Sequence, residues 1–206
     1  MRTHSTLPRP AILILTALLL GSLLLSACGG SYSYNGTPLE PPKELYDLTG
    51  VNWDGAPFRL SDHQGRVVMV FFGYTFCPDV CPLTLAEMNQ LHTLLGDKAD
   101  QVDFVFVSVD PKRDTVEKLA RYVPAFNPDF YGLHIPAGPE LETAKFAFGA
   151  WAEKSATGQT ANGDYLVDHT AWVYVVNQDG DLHEIFSFES TAEEMLPDIE
   201  YILKKG

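Results

Sequence analysis

The chain has 206 residues and a formal net charge of −13, from 27 acidic and 14 basic residues. So acidic a protein is poorly suited to bind nucleic acid or anionic lipid headgroups by charge, and a basic partner or a metal cation suits it better. The length fits one domain with a substantial core, and no internal repeat or second domain is apparent.

The first 27 residues have the pattern of a secretory signal peptide. Arg2 and Arg9 come before an uncharged, apolar run over residues 11–25, which is short for a membrane span of roughly 20 apolar residues. Small residues then lead to Cys28, in a pattern similar to the bacterial lipobox, where the cysteine becomes the lipidated first residue of the mature protein. We predict removal of residues 1–27 and a lipid anchor on Cys28 at the outer face of the bacterial cytoplasmic membrane. The alternative, an uncleaved signal anchor, also places the remainder outside the cytoplasm.

Residues 28–43 are rich in Gly, Ser, Tyr and Pro and lack apolar periodicity, so we predict a flexible tether. The domain is then predicted over residues 44–206. It begins with a small hairpin, whose strands at 45–49 and 58–60 flank a turn-rich segment. The apolar run Val67 to Phe72 follows as a buried strand.

Strands and helices alternate after that buried strand. We predict helices over residues 83–95, 114–126 and 139–151, and strands at 102–109 and 133–135. A surface loop follows at 154–163, and then a final hairpin of strands at 171–176 and 182–188. The last helix is opened by a capping box at 190–193. Asp114 is the predicted cap of the second helix. This order predicts an α/β, thioredoxin-like fold with an N-terminal β-hairpin and an insertion, around 127–163, before the last hairpin.

Two cysteines occupy the turn between the buried strand and the first helix. Cys77 lies four positions before Cys81, so the two sulfurs can converge if the intervening residues make about one turn. Pro82 suits the first helical position, which would place Cys81 at the helix cap, where the helix start favours a thiolate. So small a loop adds little stability as a disulfide, which indicates a functional pair. Two thiolates can bind a soft ion such as Cu(I), with zinc as a competitor, or exchange disulfides.

A third ligand would have to be a histidine from elsewhere in the chain. His63, His92, His134 and His183 are each more simply explained as solvated or structural rings, and His4 falls in the signal peptide. His169 differs because it lies in a loop, at the start of a strand, that a thioredoxin-like fold brings towards the cysteine turn. Asp168 beside it could orient the ring or a metal-bound water from outside the ligand set. The pattern alone leaves open whether His169 is a ligand or is merely exposed.

Three motifs together resemble the signatures of the Sco/SenC family, the copper proteins of cytochrome c oxidase assembly. They are the run from Phe71 to Pro82, the run from Val109 to Thr115, and Val167 to Thr170. The resemblance covers about residues 43–205. It implies a thioredoxin-like domain that binds one copper ion, Cu(I) or Cu(II), through Cys77, Cys81 and His169.

The family resemblance also implies a function. The protein would deliver copper, or reducing equivalents, to the CuA site of cytochrome c oxidase subunit II, and other copper carriers are further candidate partners. The alternative is a thiol–disulfide oxidoreductase in which Cys77 attacks, Cys81 resolves and His169 is incidental. A peroxiredoxin-like peroxidase fits poorly because Thr75 is two residues before Cys77 rather than three. An inert bridge in a binding lipoprotein is the remaining alternative.

Three residues of these motifs have no derived role. Phe76 stands where many family members have a histidine, which changes the polarity beside Cys77 without removing an expected ligand. Asp110 and Asp114 match the second motif, and a turn and a helix cap explain them most simply.

Overall fold

Ten strands and four α-helices make up the part of the chain that this computed structural model describes, residues 32–159 and 163–206. The strands are β1 (Thr37–Lys43), β2 (Thr49–Asn52), β3 (Pro57–Arg59), β4 (Val67–Gly73), β5 (Val102–Ser108), β6 (Tyr131–His134), β7 (Ala152–Gln159), β8 (Tyr165–His169), β9 (Val173–Val176) and β10 (Leu182–Phe186). The helices are α1 (Val80–Leu95), α2 (Val116–Tyr122), α3 (Pro139–Phe148) and α4 (Ala192–Lys205). The predicted signal peptide and Cys28 lie outside the described residues.

Eight of the strands form one mixed sheet in the order β1-β10-β9-β4-β5-β6-β2-β3. Strand β4 is parallel to β5, and β5 is parallel to β6, while the other neighbours are antiparallel. All seven residues of β4 are buried, because side chains that alternate along it pack into two different cores. The predicted α/β, thioredoxin-like fold and its N-terminal hairpin, β2–β3, are confirmed.

Helices cover the sheet on both faces. One core packs Met69 and Phe71 of β4 against α1 and α4, and includes Leu119 of α2. The other packs Val70 and Phe72 against α3. The carboxyl end of β4 therefore lies between two well-packed layers, and the cysteine turn begins there.

The sequence prediction of a surface loop at 154–163 was wrong for most of its described residues, 154–159 and 163. Most of this stretch belongs to β7, which pairs with β8 in a separate two-stranded sheet, with Ala152 opposite His169. Its largely exposed side chains give no apolar alternation, so the strand has no hydrophobic signal. A two-stranded ribbon is marginal by itself, and its position therefore depends on contacts with the rest of the protein.

The predicted tether also has to be shortened. Thr37–Lys43 forms strand β1, which pairs antiparallel with β10 at the edge of the large sheet, where prolines are tolerated. Just before it, the backbone N–H groups of Asn35 and Gly36 donate to buried Asp198 over 2.7 and 3.1 Å. Through β10 and β9, Thr37 aligns with Val70 in the middle of β4, and β1 runs antiparallel to β4, so the chain comes to the sheet from the side of the cysteine turn. Tyr34–Gly206 forms one compact unit.

The N-cap of helix α4 lies one residue later than predicted. Thr191, rather than Ser190, accepts a hydrogen bond from the Glu194 N–H, and the Glu194 carboxylate accepts one from the Thr191 N–H. None of the helices within residues 32–159 and 163–206 combines the length and the apolar character needed to cross a bilayer.

Glu184→Gln is expected to stabilise the protein above neutral pH. The side chain is fully buried beside Asp198, and burial, with Asp198 nearby, raises the pKa of Glu184 to about 9. The unfolded chain releases this proton near pH 4.5 while the folded protein keeps it, so unfolding becomes easier as pH rises from there to about 9. We expect Gln to add about 2 kcal/mol or more at pH 8 and little at pH 4.

Urea unfolding of the wild type and of Glu184→Gln across that pH range measures this difference. The exposed Glu153 provides the matched control, and Glu153→Gln is expected to leave the curve unchanged. A constant difference between wild type and Glu184→Gln from pH 4 to pH 8 would contradict the assignment.

Candidate metal centre

The cysteine turn leaves β4 at Gly73, where the packing requires a residue without a side chain. A Cβ atom there would lie 2.9 Å from the Cys81 sulfur and 2.7 Å from the Phe106 ring. Helix α1 begins at Val80, so Cys81 is already in its first turn. Pro82 is therefore the third helical residue rather than the first, a position whose missing N–H still costs no intrahelical bond.

The turn and the far end of β8 bring three metal-binding side chains together. Donor atoms of Cys77, Cys81 and His169 all lie within 4.8 Å of one another. Cys81 is wholly buried and Cys77 partly exposed, and both are free thiols. The Cys81 N–H donates to the Cys77 sulfur over 3.4 Å, and the Cys81 sulfur lies 3.5 Å from His169 Nε2. The sulfur and nitrogen come from residues 88 positions apart.

The two thiols have opposite electrostatic environments. Hydrogen bonding with the Cys81 thiol, followed by contributions from the His169 side chain and the Cys81 backbone N–H, lowers the pKa of Cys77 to about 3. Burial, followed by the hydrogen bond to Cys77, raises the pKa of Cys81 well above its ordinary value. Cys77 is therefore the thiolate of the metal-free pair, and Cys81 holds the proton.

His169 is the last residue of β8, not the start of a strand as the sequence predicts. Its Nδ1 lies 3.1 Å from the carbonyl oxygen of Thr170, which leaves Nε2 directed at Cys81. The ring packs edge-on against Phe71 and Tyr74, with ring centroids 6.2 and 5.6 Å away. This backbone carbonyl orients the imidazole in the way that supporting residues orient metal-binding histidines.

Asp168 does not orient the imidazole in this geometry. Its side chain is exposed, and the carbonyl oxygen of Thr170, next to Nδ1, fills the orienting role that the sequence analysis suggested for Asp168. A role in holding a metal-bound water stays a prediction. The explanation is the alternation of a strand, which turns the side chains of neighbouring residues 168 and 169 to opposite faces.

The other described histidines have separate structural partners. His63 lies 2.8 Å from Asp103, and the Nδ1 atom of His134 lies 2.9 Å from the Asp114 carbonyl oxygen. His92 packs against Phe104, and His183 Nε2 lies 3.0 Å from the Tyr34 hydroxyl. These contacts agree with the structural roles that the sequence analysis preferred.

Asp114 is a buried anchor of the cysteine turn rather than a helix cap. Its carboxylate accepts hydrogen bonds from the Thr75 N–H (2.9 Å), the Thr75 hydroxyl (2.6 Å) and the Ser108 hydroxyl (2.8 Å). The cap of α2 is Thr115, which accepts from the Lys118 N–H. The sequence analysis missed Thr75, two residues before Cys77, because a hydrogen bond across 39 positions leaves no local pattern.

Asp110 likewise binds side chains instead of only making a turn. Its carboxylate pairs with the Nε of Arg113 and accepts a 2.8 Å hydrogen bond from the Tyr165 hydroxyl. Arg113 and Tyr165 were not singled out from the sequence. The one sequence feature that could have pointed to Arg113 was its place in the second motif, from Val109 to Thr115.

The donor set fits a soft metal ion. A three-coordinate ion with bonds of about 2.3 Å to sulfur and 2.0 Å to nitrogen needs donors about 4 Å apart, and the three donors lie within 4.8 Å of one another. Two sulfurs favour Cu(I), and the imidazole also accommodates Cu(II). A thioredoxin-like protein with a metal-binding Cys-x-x-x-Cys turn and a distant histidine is the class that this fold and site define.

The sequence matches the SCO1/SenC family over residues 39–204. This chain belongs to that family. It is 33% identical over 155 residues to "Protein SCO2 homolog, mitochondrial" of Mus musculus, which covers 74% of this chain and 60% of that protein. This chain therefore spans somewhat over half the length of that relative.

Two solved structures of similar proteins have the same fold as this chain. Copper-bound ScoI of Bradyrhizobium japonicum superposes with a TM-score of 0.68 at 34% identity, over 78% of this chain and 99% of that one. Apo Sco1 of Thermus thermophilus gives a TM-score of 0.73 at 37% identity, over 85% and 100%.

Proposed function

We propose that this protein is a copper metallochaperone that holds one copper ion through Cys77, Cys81 and His169 and assists assembly of the CuA site of cytochrome c oxidase subunit II. The observation that carries the proposal is the convergence of the three donors within 4.8 Å. Membership of the SCO1/SenC family and the likeness to copper-bound ScoI support it.

Copper is cargo in this mechanism, so the site must release it. Three donors leave a position open for a thiolate of the acceptor, which can bind before the bonds to this protein have all broken. Cys77 is the exposed member of the pair and Cys81 the buried one, so exchange begins on the side of Cys77. Binding of Cu(I) by both sulfurs displaces the proton that Cys81 holds in the metal-free state.

The proposed location is the outer face of the bacterial cytoplasmic membrane, with Cys28 as the lipidated residue. The charge of −13 favours attachment through acyl chains over attraction to anionic headgroups. Other copper carriers that reach this face are further proposed partners, as sources of the ion.

A thiol–disulfide oxidoreductase is the second candidate function, favoured by the unequal thiols. The Cys77 thiolate attacks a partner disulfide and releases one partner thiolate, which takes up a proton. Cys81 then loses its proton and attacks the Cys77 sulfur, which releases the second partner thiol and leaves a Cys77–Cys81 disulfide. An external dithiol has to reduce that disulfide before the next turnover.

His169→Ala separates the two functions. We expect the wild type to bind one copper ion in an anaerobic titration, and His169→Ala to lose tight Cu(II) binding by about 100-fold, because one of three ligands is gone. The same variant is expected to keep most of its activity towards a model disulfide. His92→Ala, on the far part of α1, is the matched control for both assays.

Equal copper affinity in the wild type and in His169→Ala would favour the oxidoreductase function instead. Loss of disulfide reduction together with copper binding would instead make the imidazole part of the thiol chemistry.

A further inference from the structure

Arg113 links three segments that surround the metal-binding cluster. It lies in the loop between β5 and α2, and its Nε pairs with Asp110 of the same loop. Its Nη1 donates to the carbonyl oxygen of Tyr165 over 2.8 Å. Its guanidinium carbon lies 3.5 Å from the ring centroid of Tyr165 and 4.6 Å from that of Phe76. One side chain therefore contacts the first residue of β8 and the neighbour of Cys77.

Tyr165 fastens the open end of the β7–β8 ribbon, while buried Val167 holds the middle of β8 in the core. The ribbon is separate from the large sheet, and its other end is fixed where the chain continues from His169 into β9. Tyr165 is held by its carbonyl oxygen, by its stacked ring and by its hydroxyl, which donates to Asp110 over 2.8 Å. Four residues of strand, about 13 Å, separate Tyr165 from His169.

The fastening determines where His169 lies relative to the two thiols. The imidazole projects from the end of β8, whereas Cys77 and Cys81 belong to the turn after β4. Val167 in the middle of β8 packs in the core, so without Arg113 the strand would stay in place but lose the charged hydrogen bond and the stacking partner that fix its first residue against the cysteine turn. We propose that Arg113 is a positioning residue, which holds β8 and the cysteine turn together so that His169 meets Cys81.

This proposal rests on the proposed copper function, and a double-mutant cycle on the full chain in detergent tests it. If Arg113 acts through His169, Arg113→Ala should lower Cu(II) affinity by about 10-fold or more, as loss of residues that support metal ligands does. The same change in a His169→Ala background should alter affinity by less than about twofold, because the ligand that Arg113 positions is absent.

Two further variants separate positioning from charge and from packing on Phe76. Lys118, on helix α2, places its Nζ 4.7 Å from the centroid of the same Phe76 ring, so Lys118→Ala removes a cation from Phe76 and should leave affinity within about twofold. Arg113→Lys keeps the positive charge but loses the planar fork, so it should behave like Arg113→Ala. Wild-type affinity in Arg113→Lys would overturn the proposal in favour of a charge effect.

Amide hydrogen exchange tests the same proposal in the metal-free protein. Amide hydrogen exchange in residues 165–169 should become faster in Arg113→Ala, while exchange in the β4 core stays unchanged. Tyr165→Phe, which removes only the hydroxyl bond to Asp110, should shift both readouts in the same direction by less and provides the test if Arg113→Ala folds poorly.

The outcomes distinguish the inference from the function it rests on. Equal losses of affinity from Arg113→Ala with and without His169 would overturn positioning while leaving copper binding intact. Failure of the wild type to bind copper would refute the proposed function itself, and the exchange measurement would still report on the fastening.

Discussion

Replacing Cys81 with serine is expected to remove tight Cu(I) binding, with an affinity at least about 1,000-fold lower than that of the wild type. The Cys81 sulfur is fully buried, with the His169 imidazole 3.5 Å away and the Cys77 sulfur within 4.8 Å. A serine oxygen is a hard donor that does not replace a thiolate towards Cu(I). Anaerobic competition with a chromophoric Cu(I) chelator measures the loss.

Cys77→Ser should give a loss of similar size. It is the cleaner variant because Cys77 is partly exposed, whereas Cys81→Ser also buries a hydroxyl among apolar side chains. Cys28→Ser serves as the matched control and should keep wild-type affinity, because the proposed site does not include it. Affinity within about tenfold of the wild type in either serine variant would refute two-thiolate ligation.

Asp114→Ala is expected to cause the largest loss of stability, about 3 kcal/mol, because three donors, one buried and two partly buried, would lose their acceptor. Those donors are the N–H and hydroxyl of Thr75 and the hydroxyl of Ser108. The carboxylate itself is completely buried, and burial raises the pKa of Asp114. Urea unfolding at pH 7 measures the change.

Asp114→Asn is the matched control for shape. Its amide oxygen can accept from the Thr75 N–H and from Ser108, while its NH₂ donates to the Thr75 hydroxyl, which can rotate to accept. We expect Asn to cost about 1 kcal/mol. An alanine variant as stable as the asparagine variant would show that these hydrogen bonds do not secure the cysteine turn.

The cysteine turn and the strand that precedes it were predictable because their signals are local. The apolar run that forms β4 is typical of a strand covered on both faces, and Cys77 and Cys81 are close in sequence. His169 was harder, since 88 positions separate it from Cys81. Its place in the predicted fold set it apart from the other histidines but left its role open, and the family resemblance implied that it is a ligand.

The elements that were mispredicted have weak local signals or competing ones. Strand β7 is largely exposed, and β1 is proline-rich, so both resemble loops in composition. Asp114 and Thr115 are adjacent residues that both suit a helix cap. Which of them caps α2 depends on Thr75, a tertiary contact that no short-range rule contains.

The short stretch before strand β1 limits the distance between the metal-binding cluster and a bilayer. The chain joins the sheet at Thr37, level with the middle of β4, and comes to it from the side of the cysteine turn. The compact domain already begins at Tyr34, so with Cys28 lipidated as proposed, six positions (34 − 28) separate the acyl chains from the domain, a linker of at most about 20 Å. Copper exchange would then occur close to the lipid surface, so an acceptor must present its empty site at a similar height. Lengthening this linker should change the rate of copper delivery without altering copper affinity.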